Sequence, residues 1–164
     1  MEDRNSNIPE GFTLSLAIVD AVPVVEFCVS MLMIASKFRS IVFMAGAVLS
    51  TLAGCGKVVW KMLLACRRKN IILLNRQFRY LMGAGFLLML CSIFVNRGRI
   101  SPALLWRCIT GLPSVIFFAA GFLGLAAMGV MAVRLDRNIA RNNWIEQFVN
   151  IFAQGMILIG IALV

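Results

Sequence analysis

Ionisable side chains within apolar segments are the residues of this sequence best placed to do chemistry. Asp20 and Glu26 lie in the first long apolar segment, on either side of Pro23, and Lys57 lies in the second. Such groups are costly in hydrocarbon, so they usually face a protein interior and often mark a site or a pathway. Pro23 removes a helix hydrogen bond and leaves a carbonyl oxygen that another group must satisfy. A kinked, polar stretch in mid-membrane is where transporters place binding sites.

The spacing predicts an ion pair between Asp20 and Lys57. Each lies about eight residues, or about 12 Å, from the same end of two neighbouring antiparallel segments. Pairing the two charges would offset both desolvation penalties. Glu26 lies deeper and about a third of a turn round the helix. An unpaired carboxyl at that depth is expected to carry a proton.

A second polar pattern lies in the last apolar segment, where Glu146, Asn150 and Gln154 recur every four residues. This period places them in one stripe along a helix. They are predicted to line a cavity open to the cytoplasm, together with the charges of the first two segments. The alternative is that Lys61 and Glu146 reach the interface while the two amides hydrogen-bond between helices. The candidate cavity or pathway residues are Asp20, Glu26, Lys57, Glu146, Asn150 and Gln154.

Several common catalytic chemistries have no residues here to perform them. The chain has no histidine, which excludes a Ser-His-Asp triad and an H-E-x-x-H zinc site. Its five cysteines include no C-x-x-C pair, so neither a disulfide framework nor a metal site is predicted. We expect no enzyme activity, no catalytic residue and no cofactor.

Composition shows which elements must position these polar residues. Of 164 residues, 61% are hydrophobic and 14% are charged, and the mean hydropathy is +0.91. A soluble domain is nearer half apolar and a quarter charged, so lipid must solvate part of this surface. The predicted fold is an all-α polytopic transmembrane bundle of five membrane-crossing helices, with a short interfacial helix before the fourth.

The segment boundaries follow from apolar runs of the length needed to cross a bilayer. Residues 1–11 are predicted as a polar cytoplasmic N-terminus and residues 12–164 as a single transmembrane domain. The stretch from Ala103 to Val133 is too long for one upright span, and Pro113 divides it. The predicted spans are 12–36, 40–65, 78–95, 113–133 and 144–164.

The net charge of +9 arises mainly from basic residues between the apolar segments. This placement indicates anionic lipid rather than nucleic acid as the partner. Nine basic residues fall on the side of the N-terminus and five on the other. The positive-inside rule then places the N-terminus in the cytoplasm and the C-terminus outside. We expect a cell membrane, more specifically a bacterial cytoplasmic membrane, because the chain is compact and has no tail.

Small residues in the second segment predict close helix packing. Gly46, Ser50 and Gly54 are spaced by four residues and share one face, which lets two backbones approach. The face would serve packing within one bundle or self-association of the chain.

Two functions remain open from the sequence. The first is a small membrane subunit or scaffold that acts by associating with other membrane proteins. The second is an oligomeric transporter or channel for a small solute, an ion or protons, using Asp20, Glu26 and Lys57. Neither the substrate nor the partner is specified by these patterns.

Overall fold

The computed structural model describes residues 13–67, 71–96, 102–136 and 139–164. These residues form six helices and no strand, which confirms the predicted all-α fold for this part of the chain. The helices are α1 (Leu14–Phe38), α2 (Ile41–Arg67), α3 (Ile72–Val95), α4 (Pro102–Thr110), α5 (Ser114–Arg134) and α6 (Ala140–Ala162).

Five of these helices are long and apolar enough to cross a membrane, and α4 is the exception. The predicted break at Pro113 is confirmed, since α4 ends at Thr110 and α5 begins at Ser114. The predicted N-terminal segment 1–11 lies outside the described residues. So do several of the basic residues that orient the chain: Arg4, Arg68, Lys69, Arg97, Arg99 and Arg137.

Two helices begin earlier than the apolar pattern predicts. α3 begins at Ile72, six residues before the predicted span, and α6 begins at Ala140 rather than residue 144. The added turns contain Arg76 and Arg141, which are both exposed. Arginine favours helix about as well as leucine does. The helices therefore continue beyond the apolar segments that hydropathy detects.

The long helices are arranged in the spatial order α3, α2, α1, α6, α5. α1 lies in the middle of this order, with α2 on one side and α6 on the other, and α4 packs on α5. A two-residue turn makes α1 and α2 antiparallel neighbours. Arg39 in this turn has left-handed backbone angles, with φ 46° and ψ 38°, and its N–H donates to the carbonyl of Ala35.

Small residues set the closest helix contacts. Gly46 of α2 faces Gly85 of α3, and a Cβ on Gly85 would lie 2.7 Å from the carbonyl oxygen of Gly46 and 3.0 Å from the backbone nitrogen of Ser50. Gly54 faces a different helix, because its Cβ would lie 3.0 Å from a methyl group of Val24 in α1. The predicted small-residue face of α2 therefore lies against two helices of the same chain.

Candidate functional site

An ion pair joins α1 to α2 in the half of the bundle nearest the N-terminus. The Nζ of Lys61 lies 2.5 Å from Oδ1 of Asp20. The side chains are 11% and 10% exposed, so the pair is buried. A buried pair is stable only when both partners are present, because either charge alone would be desolvated without compensation.

The partner of Asp20 in this contact is one helical turn away from the residue that the sequence favoured. The predicted pairing with Lys57 rested on equal depth, and the depth of each residue was counted from the predicted end of its span. In the structure, Asp20 lies six residues after the start of α1 at Leu14, and Lys61 lies six residues before the end of α2 at Arg67. Both are thus about 9 Å from the same side of the bundle. The predicted ends of α1 and α2 account for the wrong partner. The expectation that the paired residues lie at equal depth is met by Asp20 and Lys61.

Lys57 lies beside an aromatic ring of α3. Its Nζ is 4.4 Å from the centre of the Phe78 ring. An ammonium over a ring face is attracted by the electron-rich π-system, more strongly where water is scarce. This contact holds a cation one turn deeper in the bundle than the ion pair.

A cavity of about 300 Å³ connects these groups. Four of the candidate residues line it, namely two charged residues and two amides: Asp20, Lys57, Asn150 and Gln154. The remaining lining is apolar and includes Pro23, Val24, Phe27, Gly54, Phe78, Met82 and Phe86. A mostly apolar wall with a few polar groups is typical of sites that bind small molecules.

The cavity has an aromatic boundary on its deeper side. The rings of Phe27 and Phe86 have centroids 6.1 Å apart at an angle of 58°. Both residues lie about 20 Å from the N-terminal ends of their helices, whereas Asp20 and Phe78 lie about 9 Å from those ends. The charged groups therefore lie on the shallow side of the cavity, and the ring pair lies on its deeper side.

Glu26 occupies a different place, at the contact between α1 and α6. A Cβ on Gly155 would lie 3.3 Å from Oε1 of Glu26. The Oε2 atom is buried and has no hydrogen-bond partner among the described residues. Glu26 is not among the residues that line the cavity.

The stripe on α6 is divided between the cavity and the protein interior. Asn150 and Gln154 line the cavity, whereas Glu146 does not. The Oε1 atoms of Glu146 and of its neighbour Gln147 are buried without a hydrogen-bond partner in the described part of the chain. Gln147 is only 7% exposed. The first turns of α6 therefore bury more polar atoms than the four-residue period indicated.

Lys61 and the phenylalanines that line the cavity are not among the candidate site residues predicted from the sequence. The sequence pattern allows two positions for Lys61, as one of the charges at the cavity or as a side chain that reaches the interface, and the observed helix ends match its depth to that of Asp20. Phe27, Phe78 and Phe86 carry no signal in an apolar segment, where phenylalanine usually faces lipid or core. No cluster of three or more histidine, cysteine or acidic residues suited to a metal occurs in the described ranges.

Comparison with known proteins gives no relative from which a role could be inferred. The chain matches no protein-family model, no curated protein and no solved structure. The chemistry of the cavity is therefore the basis for a functional proposal.

Proposed function

We propose that this integral membrane protein binds a small polar or ionic solute within the bilayer and acts as an oligomeric transporter or channel subunit. The single observation that supports this is the cavity shared by Asp20, Lys57, Asn150 and Gln154. Polar groups in a membrane protein are stable when they face water or protein, and a hydrated cavity supplies water. Charges of both signs and two amides suit a solute that is itself polar.

The proposal includes a direction of access. The charged end of the cavity lies towards the side of the membrane at which α1 begins, called the N-terminal side here. The ring pair of Phe27 and Phe86 lies towards the opposite side. Basic residues favour a cytoplasmic position for the N-terminal side in a bacterial cytoplasmic membrane. Solute would then enter from the cytoplasm and meet the two rings as its barrier.

Accessibility of a cysteine to water tests this proposal. In a variant without native cysteines, Asn150→Cys should react with a membrane-impermeant thiol reagent added from the cytoplasmic side. Phe152→Cys is the matched control, because Phe152 lies on the same helix, is 51% exposed and does not line the cavity. Equal protection of both cysteines would contradict a hydrated cavity. Reaction of Asn150→Cys only from the outside would reverse the proposed direction.

A second function, a subunit or scaffold that associates with another membrane protein, is supported by the helix arrangement. α3 and α5 lie at the two ends of the spatial order of long helices. Both carry large exposed apolar side chains, including Leu87 at 64% and Leu123 at 72%. These faces can contact lipid or another protein with little change in hydrophobic energy.

The mass of the complex extracted from native membranes separates the two functions. Stoichiometric recovery with a different protein would support the subunit function and identify the partner. Recovery as a homo-oligomer would support transport and make flux measurements the next step.

A further inference from the structure

The geometry points to a binding site for an anionic phospholipid on the face of α2 that is turned away from the bundle. Arg39 would bind the phosphate, and one acyl chain would lie along the helix. This site is separate from the polar cavity and does not depend on the proposed function. A groove of about 580 Å³ lies here. Its lining includes Ala35 and Arg39 from the end of α1 and its turn, and Ile41, Met44, Val48 and Leu52 from α2.

The groove has the length of one leaflet. From Ile41 to Leu52 the helix advances eleven residues, or about 16 Å at 1.5 Å per residue. Half of a bilayer hydrocarbon core is about 15 Å thick. The groove starts at the turn between α1 and α2, where the chain is polar, and ends at mid-membrane. An acyl chain whose headgroup lies at Arg39 would therefore fill the groove to its end.

The walls of the groove suit a chain of methylene groups. Ile41, Met44, Val48 and Leu52 are between 40% and 88% exposed, and they follow one face of α2. The buried side of α2 is occupied by the contacts with α1 and α3, as at Phe43 and Ala47. Ala45, a small exposed residue, keeps the middle of the groove open.

The charge at the mouth of the groove selects the headgroup. Arg39 is exposed and its backbone is held by the capping hydrogen bond to Ala35. A guanidinium group binds phosphate oxygens through two parallel hydrogen bonds. Lys37, in the last turn of α1, is exposed but is not among the residues that line the groove. Basic side chains at the membrane surface attract anionic lipid, so this mouth favours a negatively charged headgroup over a zwitterionic one.

Native mass spectrometry of the full chain in detergent tests the assignment. The probes are phosphatidylglycerol and phosphatidylcholine with identical acyl chains, titrated separately. We expect the protein to retain phosphatidylglycerol at least several-fold more tightly. Arg39→Asn should remove most of this preference, and asparagine is chosen because it tolerates left-handed backbone angles. Lys37→Asn, an exposed cation outside the groove lining, is the control and should keep most of the preference.

A second pair of variants tests the apolar part of the site. Ala45→Phe should reduce retention of both lipids by filling the groove. Gly83→Phe adds the same ring to α3 where a new Cβ meets no atom within 4 Å, and it should retain lipid like the wild type. Equal retention of the two lipids by the wild type, or unchanged preference in Arg39→Asn, would overturn the proposal. A wild-type dimer that is dissociated by Ala45→Phe would also overturn the proposal, because a second copy of the chain would then occupy the groove. Circular dichroism of each variant checks that the helices are intact.

Discussion

The carboxylate of Asp20 and the ammonium of Lys61 lie 2.5 Å apart, with about nine-tenths of each side chain buried. This pair fixes the register between α1 and α2 at one level of the membrane. One turn deeper, Lys57 lies over the ring of Phe78 in α3. The two lysines of α2 thus connect it to both of its neighbours, one through an ion pair and the other through a ring.

Removal of either member of the ion pair should destabilise the protein. Asp20→Asn and Lys61→Met each leave a buried charge without this partner, at a cost on the order of 3 kcal/mol. The double variant should recover much of the loss, because no unmatched charge remains. Unfolding of all three variants in a denaturant titration measures the coupling. Lys37→Met removes an exposed lysine elsewhere and should show no coupling to Asp20→Asn. Additive losses in the double variant would show that the pair is not energetically coupled.

Adding a methyl group to α3 should destabilise the protein at Gly85 and stabilise it at Gly83. In Gly85→Ala the new carbon would lie 2.7 Å from a carbonyl oxygen of α2, which cannot move as a side chain can. We expect a loss of about 1–3 kcal/mol from overpacking. In Gly83→Ala the carbon enters open space, and replacing glycine within a helix should stabilise it by roughly 0.5–1 kcal/mol. The difference in thermal unfolding between these variants is the measurement. Equal effects would mean that α2 and α3 do not approach closely at this point.

Removal of one ring at the deep end of the cavity should open it further. Phe27→Ala deletes a side chain that both lines the cavity and contacts Phe86. If this ring is the barrier of a pathway, vesicles that contain the variant should leak protons or potassium faster than wild-type vesicles. Phe122→Ala is the control, because Phe122 lies on α5, is 58% exposed and is not part of the cavity. Similar leak rates in both variants would argue against a barrier at Phe27.

Replacement of Glu26 should separate a structural carboxyl from a functional one. Its Oε2 atom is buried without a hydrogen-bond partner in the described residues, and such an atom costs about 1–3 kcal/mol. Glu26→Leu should therefore raise the free energy of unfolding, while Glu26→Gln keeps the size and polarity. If Glu26 belongs to a pathway, both variants should fold and lose flux. Destabilisation by Glu26→Leu would show that the carboxyl has a stabilising contact.

The number and class of the helices were predictable because each one satisfies its own backbone hydrogen bonds and must cover the same bilayer thickness. The ends were less predictable. Hydropathy detects the apolar part of α3 from Phe78, but the helix begins at Ile72 because polar residues such as Arg76 and Gln77 also form helix. Errors of two residues at the start of α1 and two at the end of α2 together changed the expected partner of Asp20 by one turn.

Part of the site was also predictable, for a similar reason. Asn150 and Gln154 repeat with the helical period, so their common face could be derived from spacing alone. The position of Glu26 against Gly155 could not, because the angle at which α1 and α6 cross depends on packing along both helices. The positions of Phe27, Phe78 and Phe86 around the cavity were not predictable either, because they depend on which helices are neighbours.

The central position of α1 has a consequence for biogenesis. α1 to α3 are consecutive in the chain, but Glu26 of α1 lies against Gly155 of α6, a helix that is synthesised after α2 to α5. Until α6 is inserted, this carboxyl group lacks its contact with Gly155. A nascent chain that has not yet inserted α6 therefore differs chemically from the folded bundle at one defined place. A carboxyl group uncovered within the bilayer thus marks a chain in which α6 has not yet packed against α1.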